Sequence, residues 1–468
     1  MNASATNGYV TVVAVFKYEQ DKEYEMNKAK IPPIIHLKNK PDDEMLIGAY
    51  VEPLLYERFL NERTVQVDYE QAYDDLKACG FNTLLQTESA LNREGNQVTL
   101  DIFEALSKRG MNFLFRDKEV VGINNLVTDK TEEELIAYFK KEYLPLDEKY
   151  SAFAGIHYID EAGWKDWKRM REIHRAFKTV FPDKLFYVNV LPIYSPAWAF
   201  PNGPIYMPEA DWWAPADNDY IRYYDSYMAE TKPDLFSYDF YPCSKEYPNL
   251  LDGYFEQLHL SYKYSAEANI PLVCFIQNGS WDAFSRDTTD AEMRWLINTA
   301  LAYNTKGICY FTYWSYIEEN TGMCIDLQGN KTHKYELVQQ YNKELKFFGK
   351  YILNSAFRGY VMTGVTPNGE TPNAAERLTS FGSIVNPSEG NLFIGCFDYH
   401  ENGKIKNMYI VVNNSTTQAV DEKIIFDKPH TFTRIHRDRA EEITTDSMEI
   451  KLSAGDAYIL VEENWKLH

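Results

Sequence analysis

Between residues 45 and 350 short apolar runs alternate with longer segments whose apolar positions recur every three to four residues. Eight such runs stand out: MLIGAYVEP (45–53), NTLLQTE (82–88), NFLFRD (112–117), AGIHYIDEA (154–162), LFYVNVLP (185–192), LFSYDFYP (235–242), PLVCFIQNG (271–279) and GICYFTYW (307–314). They read as strands, and the amphipathic stretches between them, such as WKDWKRMREIHRAFKTV and DAEMRWLINTALAYNT, read as helices. Gly80 and Gly110 sit just past two of these helices, and Thr131 followed by three glutamates marks the start of another. Eight strand-helix repeats imply an α/β fold, a (β/α)8 TIM barrel spanning residues 45–350 with its site at the C-terminal strand ends. An open doubly wound sheet is the competing arrangement. No strand is followed by GxGxxG or GxxxxGK[ST], so the nucleotide sites of such sheets are unsupported and no cofactor is implied.

Beyond residue 350 the helical period gives way to strand-like runs separated by turn residues, among them NLFIGCFDYH, NMYIVVNNS, EKIIFDK and DAYILVEE. This predicts a C-terminal antiparallel β-sandwich over 351–468. The leading segment, 1–44, carries YVTVVAVF (9–16), read as an extra strand that joins the sandwich.

Composition narrows the class. Of 468 residues, 45% are hydrophobic, enough for large cores, and no apolar run reaches the roughly 18–20 residues that span a bilayer. A net charge of −21 disfavours nucleic acid and anionic membranes as partners. Aromatic residues make up 15%, including 35 Tyr and 9 Trp, and such rings stack on the apolar faces of sugars. The six cysteines have no CxxC or paired spacing, so most read as buried free thiols and neither a zinc site nor a dense disulfide framework is indicated. The N-terminal stretch lacks a basic segment, apolar core and small-residue cleavage site. That leaves two placements: cytoplasmic, or periplasmic or extracellular with an export signal outside this sequence.

Chemistry concentrates where the strands end. In GIHYIDEAGW two acids close a strand, and alternation puts Glu161 with His157 and Ile159 facing the barrel mouth, with Asp160 on the rim. The same parity turns Glu52, Gln86, Glu88, Asp117, Asn189 and Asp239 inward, with Tyr241, Gln277 and Trp314. Any one of these is also what a solvated strand end looks like. Their recurrence on nearly every strand points to a polyhydroxylated ligand, because barrel layers are ordinarily filled by branched apolar residues.

Two carboxyls flanking a sugar are the minimum for glycoside hydrolysis. Glu161 is the candidate proton donor. Asp239, two strands round the barrel, is the candidate second carboxyl, at a separation of ~6.5–9.5 Å for inversion or ~5–5.5 Å for retention. Glu52, Glu88, Asp117, Asp160, Asn189, Tyr241 and Gln277 would bind sugar hydroxyls, and Trp314 would stack on the ring. His157 reads as a buried histidine; no HExxH, EF-hand loop or GxSxG elbow is present, so no metal is implied.

The stretches GIHYIDEA, PDLFSYDFYP, PLVCFIQNGSW, AEMRWLINTALAYNTKGICYFTYW and IDLQGNKTHKYELVQQYNKEL together resemble the barrel glycoside hydrolases of clan A, in particular the bacterial β-galactosidase-like kind. The resemblance covers about residues 45–350. It implies an acid/base glutamate ending strand four, which Glu161 matches with Asp160 in place of the usual Asn, and a nucleophilic glutamate ending strand seven. Strand seven ends instead in Gln277 and Asn278. Three readings follow: a glycoside hydrolase whose second carboxyl is Asp239, one in which Gln277 positions water or an acetamido group, and a carbohydrate-binding barrel without catalysis.

Overall fold

A computed structural model describes residues 30–53, 68–87, 96–121, 129–163, 167–194, 219–246, 250–316, 320–386 and 390–465. The strand expected at 9–16 and the candidate Glu88 lie outside them. Eight parallel strands, β1 (Leu46–Tyr50), β2 (Thr83–Leu85), β3 (Asn112–Phe115), β4 (Phe153–Asp160), β5 (Leu185–Asn189), β6 (Phe236–Asp239), β7 (Leu272–Gln277) and β8 (Gly307–Phe311), run in the order β5-β4-β3-β2-β1-β8-β7-β6. The ring closes where Val190 N–H donates to the Ser237 carbonyl at 2.9 Å. The expected barrel is therefore present, with strands shorter than the apolar runs; several of the polar residues placed on strand ends belong to the loops beyond.

The helices that follow the strands are α1 (Tyr69–Ala78), α2 (Asn96–Lys108), α3 (Glu132–Glu142), α4 (Trp167–Val180), α5 (Asp219–Thr231), α6 (Tyr254–Ala268), α7 (Asp290–Ala302) and α8 (His333–Leu353). Thr131 and Thr289 open α3 and α7 with reciprocal capping boxes to Glu134 and Glu292.

The C-terminal strands are β9 (Ser355–Met362), β10 (Ile384–Asn386), β11 (Leu392–Glu401), β12 (Lys404–Asn413), β13 (Val420–His436), β14 (Arg439–Leu452) and β15 (Ala457–Trp465). They form one antiparallel sheet folded on itself. β13 pairs with β10 through its first half and with β15 through its second, and its register to β14 slips between Ile425 and His430. The two layers of this sandwich meet on Ile394, Tyr409, Leu460, Ile424, Met448 and Ile450. The opposite face of the first layer, with Phe393, Phe397, Ile410 and Ile459, is continuous with the barrel core. Backbones approach closely at this seam, since a Cβ on Gly395 would lie 2.3 Å from the Ala302 carbonyl oxygen. Polar fastenings surround it: Arg294 contacts Glu344 at 2.9 Å and Asp456 at 3.1 Å, and the Trp295 indole donates to Asn414.

All six cysteines are buried and free, where the spacing implied it for most. Among the described residues no helix is long and apolar enough to cross a membrane. Because the seam has no room for a side chain, Gly395→Val destabilises the protein by about 1–3 kcal/mol. Calorimetry of the full chain, with a lowered midpoint expected, checks this.

Candidate active site

β4 delivers its two terminal acids to the same place by departing twice from strand geometry. Its register to β5 slips between His157 and Ile159. His157 faces the barrel axis, ring edges against Tyr50 and Tyr187. Asp160 reaches the same Tyr50 and accepts from its hydroxyl at 2.8 Å. Glu161 then adopts φ 54°, a left-handed conformation disfavoured by roughly 1–2 kcal/mol for a residue with a Cβ. Its N–H is held by the Asn189 carbonyl at 3.0 Å. Asp160 is thus a cavity residue rather than the rim neighbour that simple alternation implies, because the bulge resets the parity of the strand.

Asp239 ends β6 across the closure. Asn189 donates to its Oδ1 at 2.9 Å, Ser237 donates to Asn189 Oδ1 at 3.0 Å, and Ser237 in turn contacts the Tyr187 hydroxyl at 2.6 Å. The Glu161 and Asp239 carboxyls hydrogen-bond to each other. They lie closer than the ~6.5–9.5 Å that an inverting pair would need. Burial, followed by the charge of Asp160, pushes Glu161 up to about 7. Burial, then the charges of Glu161 and Asp160, raises Asp239 well above the usual carboxylate range. Glu161 is open to the cavity while Asp239 is only 3% exposed, but protein encloses the cavity water around both, so like charges there are poorly screened. Their hydrogen bond raises Asp239 and lowers Glu161, so of the two Asp239 is the more readily protonated.

These acids lie in a cavity of about 620 Å³. Of the residues singled out from the sequence, Glu161, Asp239, Asp160, Asn189 and Tyr241 line it. Of its aromatic wall only Tyr241 was anticipated. Trp281 packs on Tyr241 and Phe311 at ring-centroid distances of 4.7 and 5.1 Å, with Tyr50, Phe275 and Tyr316 also lining the space. The signal was present in GSWDAF, directly after strand seven, where a tryptophan and an acid follow a turn residue.

Four expected ligands serve other ends. Glu52, fully buried, accepts from the Thr87 N–H and hydroxyl and ties the ends of β1 and β2 together. Asp117 accepts from the Tyr138 and Tyr143 hydroxyls at 2.7 and 2.9 Å on the helix side of the sheet. Its parity was misassigned because Phe115 faces outward, packing on Phe103 and Tyr143. Trp314 is 1% exposed and lies past β8, bridged to Ile325 outside the cavity. Gln277 accepts from Cys243 N–H at 2.8 Å and donates to the carbonyls of Cys243, Gly279 and Arg286. It clamps backbone and faces no substrate. Gln86, also assigned to the mouth, is fully buried, accepting from Arg116 N–H and donating to Thr99.

His157 is buried as expected. Its Nδ1 lies 2.9 Å from the Gln86 carbonyl, which can only accept, so Nδ1 carries the proton. Burial, then the nearby Arg116 charge, pushes it down to about 3, so the ring is neutral. Among the described residues no group of three or more His, Cys, Asp or Glu is arranged to hold a metal ion.

No family model matches the sequence, and no curated protein matches it. Solved structures do. A Bacteroides fragilis protein provisionally named an α-galactosidase superposes with a TM-score of 0.51 at 7% identity, over 92% of this chain and 81% of that one. The chain has the fold of the barrel glycoside hydrolases. α-Galactosidase I of Mortierella vinacea matches at 8% identity and a TM-score of 0.48, over 90% of this chain and 97% of that one. The β-galactosidase of the psychrophilic Marinomonas ef1 matches at 9% identity and 0.44, over 65% of this chain; the match spans 60% of that enzyme's length. At these identities the likeness is one of fold.

Two outcomes follow from the electrostatics and the clamp. Glu161 has a folded pKa above its unfolded value, so between about pH 4.5 and 7 the folded chain binds the extra proton and loses stability as pH rises. Glu161→Gln therefore raises the thermal midpoint by roughly 2–4 °C at pH 8, allowing for the water in the cavity, and by less at pH 5. Gln277→Glu, which would put a carboxyl back at the end of strand seven, strands three backbone carbonyls and lowers stability by about 2–3 kcal/mol in denaturant titrations.

Proposed function

We propose that the chain is a glycoside hydrolase cleaving O-glycosidic bonds of an oligo- or polysaccharide, with Glu161 and Asp239 as its catalytic carboxyls. The observation that supports this most directly is the pairing of two enclosed acids, Glu161 and Asp239, in an aromatic-walled cavity. Glycoside hydrolysis asks for one protonated carboxyl to serve the departing oxygen and one ionised carboxylate to meet the charge growing at the anomeric carbon. Burial and the neighbouring Asp160 charge push both carboxyls toward the protonated form, and a hydrogen-bonded pair so placed can supply one of each.

Glu161 takes the donor role, since it is open to the cavity on a turn and can receive the proton of Asp239 through their hydrogen bond. Asp239, held by Asn189 and nearly buried, has the fixed orientation that a nucleophile or base needs. The contact between them is closer than the ~6.5–9.5 Å of an inverting pair and favours a retaining mechanism. Asp160, oriented by Tyr50, joins Asn189 and Tyr241 in binding hydroxyls, and sugar faces stack on Trp281 and Phe311. A carbohydrate-binding barrel without turnover is the second reading, favoured by the amide at Gln277 where clan A places its nucleophile.

With 4-nitrophenyl glycosides, Glu161→Gln lowers kcat/KM by ~10²–10⁴-fold and loses far less on 2,4-dinitrophenyl glycosides, whose leaving group departs without a proton. Asp239→Asn loses both. Wild-type kcat/KM falls as pH rises through about 7, as the donor ionises. Full activity in Glu161→Gln overturns the assignment. Oligosaccharide binding without release of sugar, unchanged by Glu161→Gln, selects the second reading.

A further inference from the structure

The segment from β6 to α6 forms one wall of the cavity, through Tyr241, Cys243, Ser244, Glu246 and Leu251. The helix at its end lacks a cap of its own. α6 begins after Gly253, at φ 92°, which has no side chain to meet the first N–H groups of the helix. The sandwich meets them instead. Glu370 accepts from Glu256 N–H at 3.1 Å and Phe255 N–H at 3.3 Å, and Asn368 donates to the Leu251 carbonyl at 3.2 Å and to Glu370 at 3.1 Å.

The turn that carries these two residues is closed on itself. Gly369 N–H bonds the Thr366 carbonyl, the buried Thr366 hydroxyl bonds the Glu370 carbonyl at 2.6 Å, and Glu370 N–H bonds Asn368 Oδ1. A carboxyl on a rigid turn at a helix N-terminus satisfies two orphan donors and favours the helix dipole. Here it does so across the domain seam, beside a residue that faces the cavity.

We propose that Glu370, assisted by Asn368, is a positioning residue for substrate: the 366–370 turn of the sandwich pins the start of α6, and with it the Leu251 wall of the cavity. Asp239 stands on β6 just before this wall but is anchored separately by Asn189. Loss of Glu370 therefore loosens the wall without moving the carboxyl pair. This inference rests on the hydrolase reading only for its kinetic consequence.

The test combines amide hydrogen exchange on the full chain with kinetics on whichever 4-nitrophenyl glycoside the wild type turns over. In Glu370→Ala, exchange over residues 250–257 accelerates by roughly five- to tenfold, the factor expected when a helix cap is lost, and KM rises by a similar factor while kcat stays within about twofold. Glu370→Gln keeps one acceptor and falls between the two, and it serves alone if the alanine variant does not fold. Unchanged exchange at 250–257 overturns the proposal, as does a kcat that falls in step with the folded fraction while KM holds. A wild type that turns over no glycoside counts against the hydrolase reading alone; the exchange of Glu370→Ala then still decides whether the wall is pinned.

Discussion

A parallel sheet leaves a row of unpaired backbone groups at each edge, and in this chain β5 and β6 satisfy each other's. The bond from Val190 N–H to the Ser237 carbonyl turns an eight-stranded sheet into a ring. The site follows from that closure. Asn189 at the end of β5 comes beside Asp239 at the end of β6, and Glu161, whose backbone is held by the Asn189 carbonyl, meets Asp239 from the other side. An open sheet of the same strands would leave Asp239 on one edge strand and Glu161 beside the other edge, with five strands between them.

Bringing carboxyls together in an enclosed space works against stability, and the surrounding structure offsets it in identifiable ways. Asn189, Ser237 and Tyr187 form a hydrogen-bonded chain beneath Asp239, and Tyr50 fixes Asp160. The raised pKa values of Glu161 and Asp239 are the remaining, unrelieved part of that opposition. At β7 the chain takes the opposite course. The position where the resemblance implies the nucleophilic carboxyl holds Gln277, whose amide accepts one backbone bond while its two N–H groups serve three backbone carbonyls. A carboxylate accepts only, so this clamp and a nucleophile there exclude each other.

The sandwich contributes to the same end. Both faces of its first layer are buried, one against its own second layer and one against the barrel, and its contact with the start of α6 adjoins the segment that walls the cavity. The barrel mouth is in this sense shaped from outside the barrel as well as by its own loops.

The hydrophobic pattern alone determined the eight strands, the helices between them and the change to antiparallel strands after residue 350. Those features depend on local periodicity, which side-chain burial writes directly into the order of residues. It also singled out Glu161, Asp239 and Asn189, because acids and amides ending apolar runs are conspicuous. Only the tertiary structure decided which polar residues converge. A bulge between His157 and Ile159 and a left-handed Glu161 turned Asp160 inward, the outward Phe115 took Asp117 to the helix side, and the tryptophan that reached the cavity was Trp281 rather than Trp314. Each of these depends on a one-residue shift or a single dihedral, worth no more than roughly 1–2 kcal/mol, and is held in place by partners distant in the chain. Such differences leave no mark on composition or period, so the fold was legible in the sequence while the shape of the cavity was not.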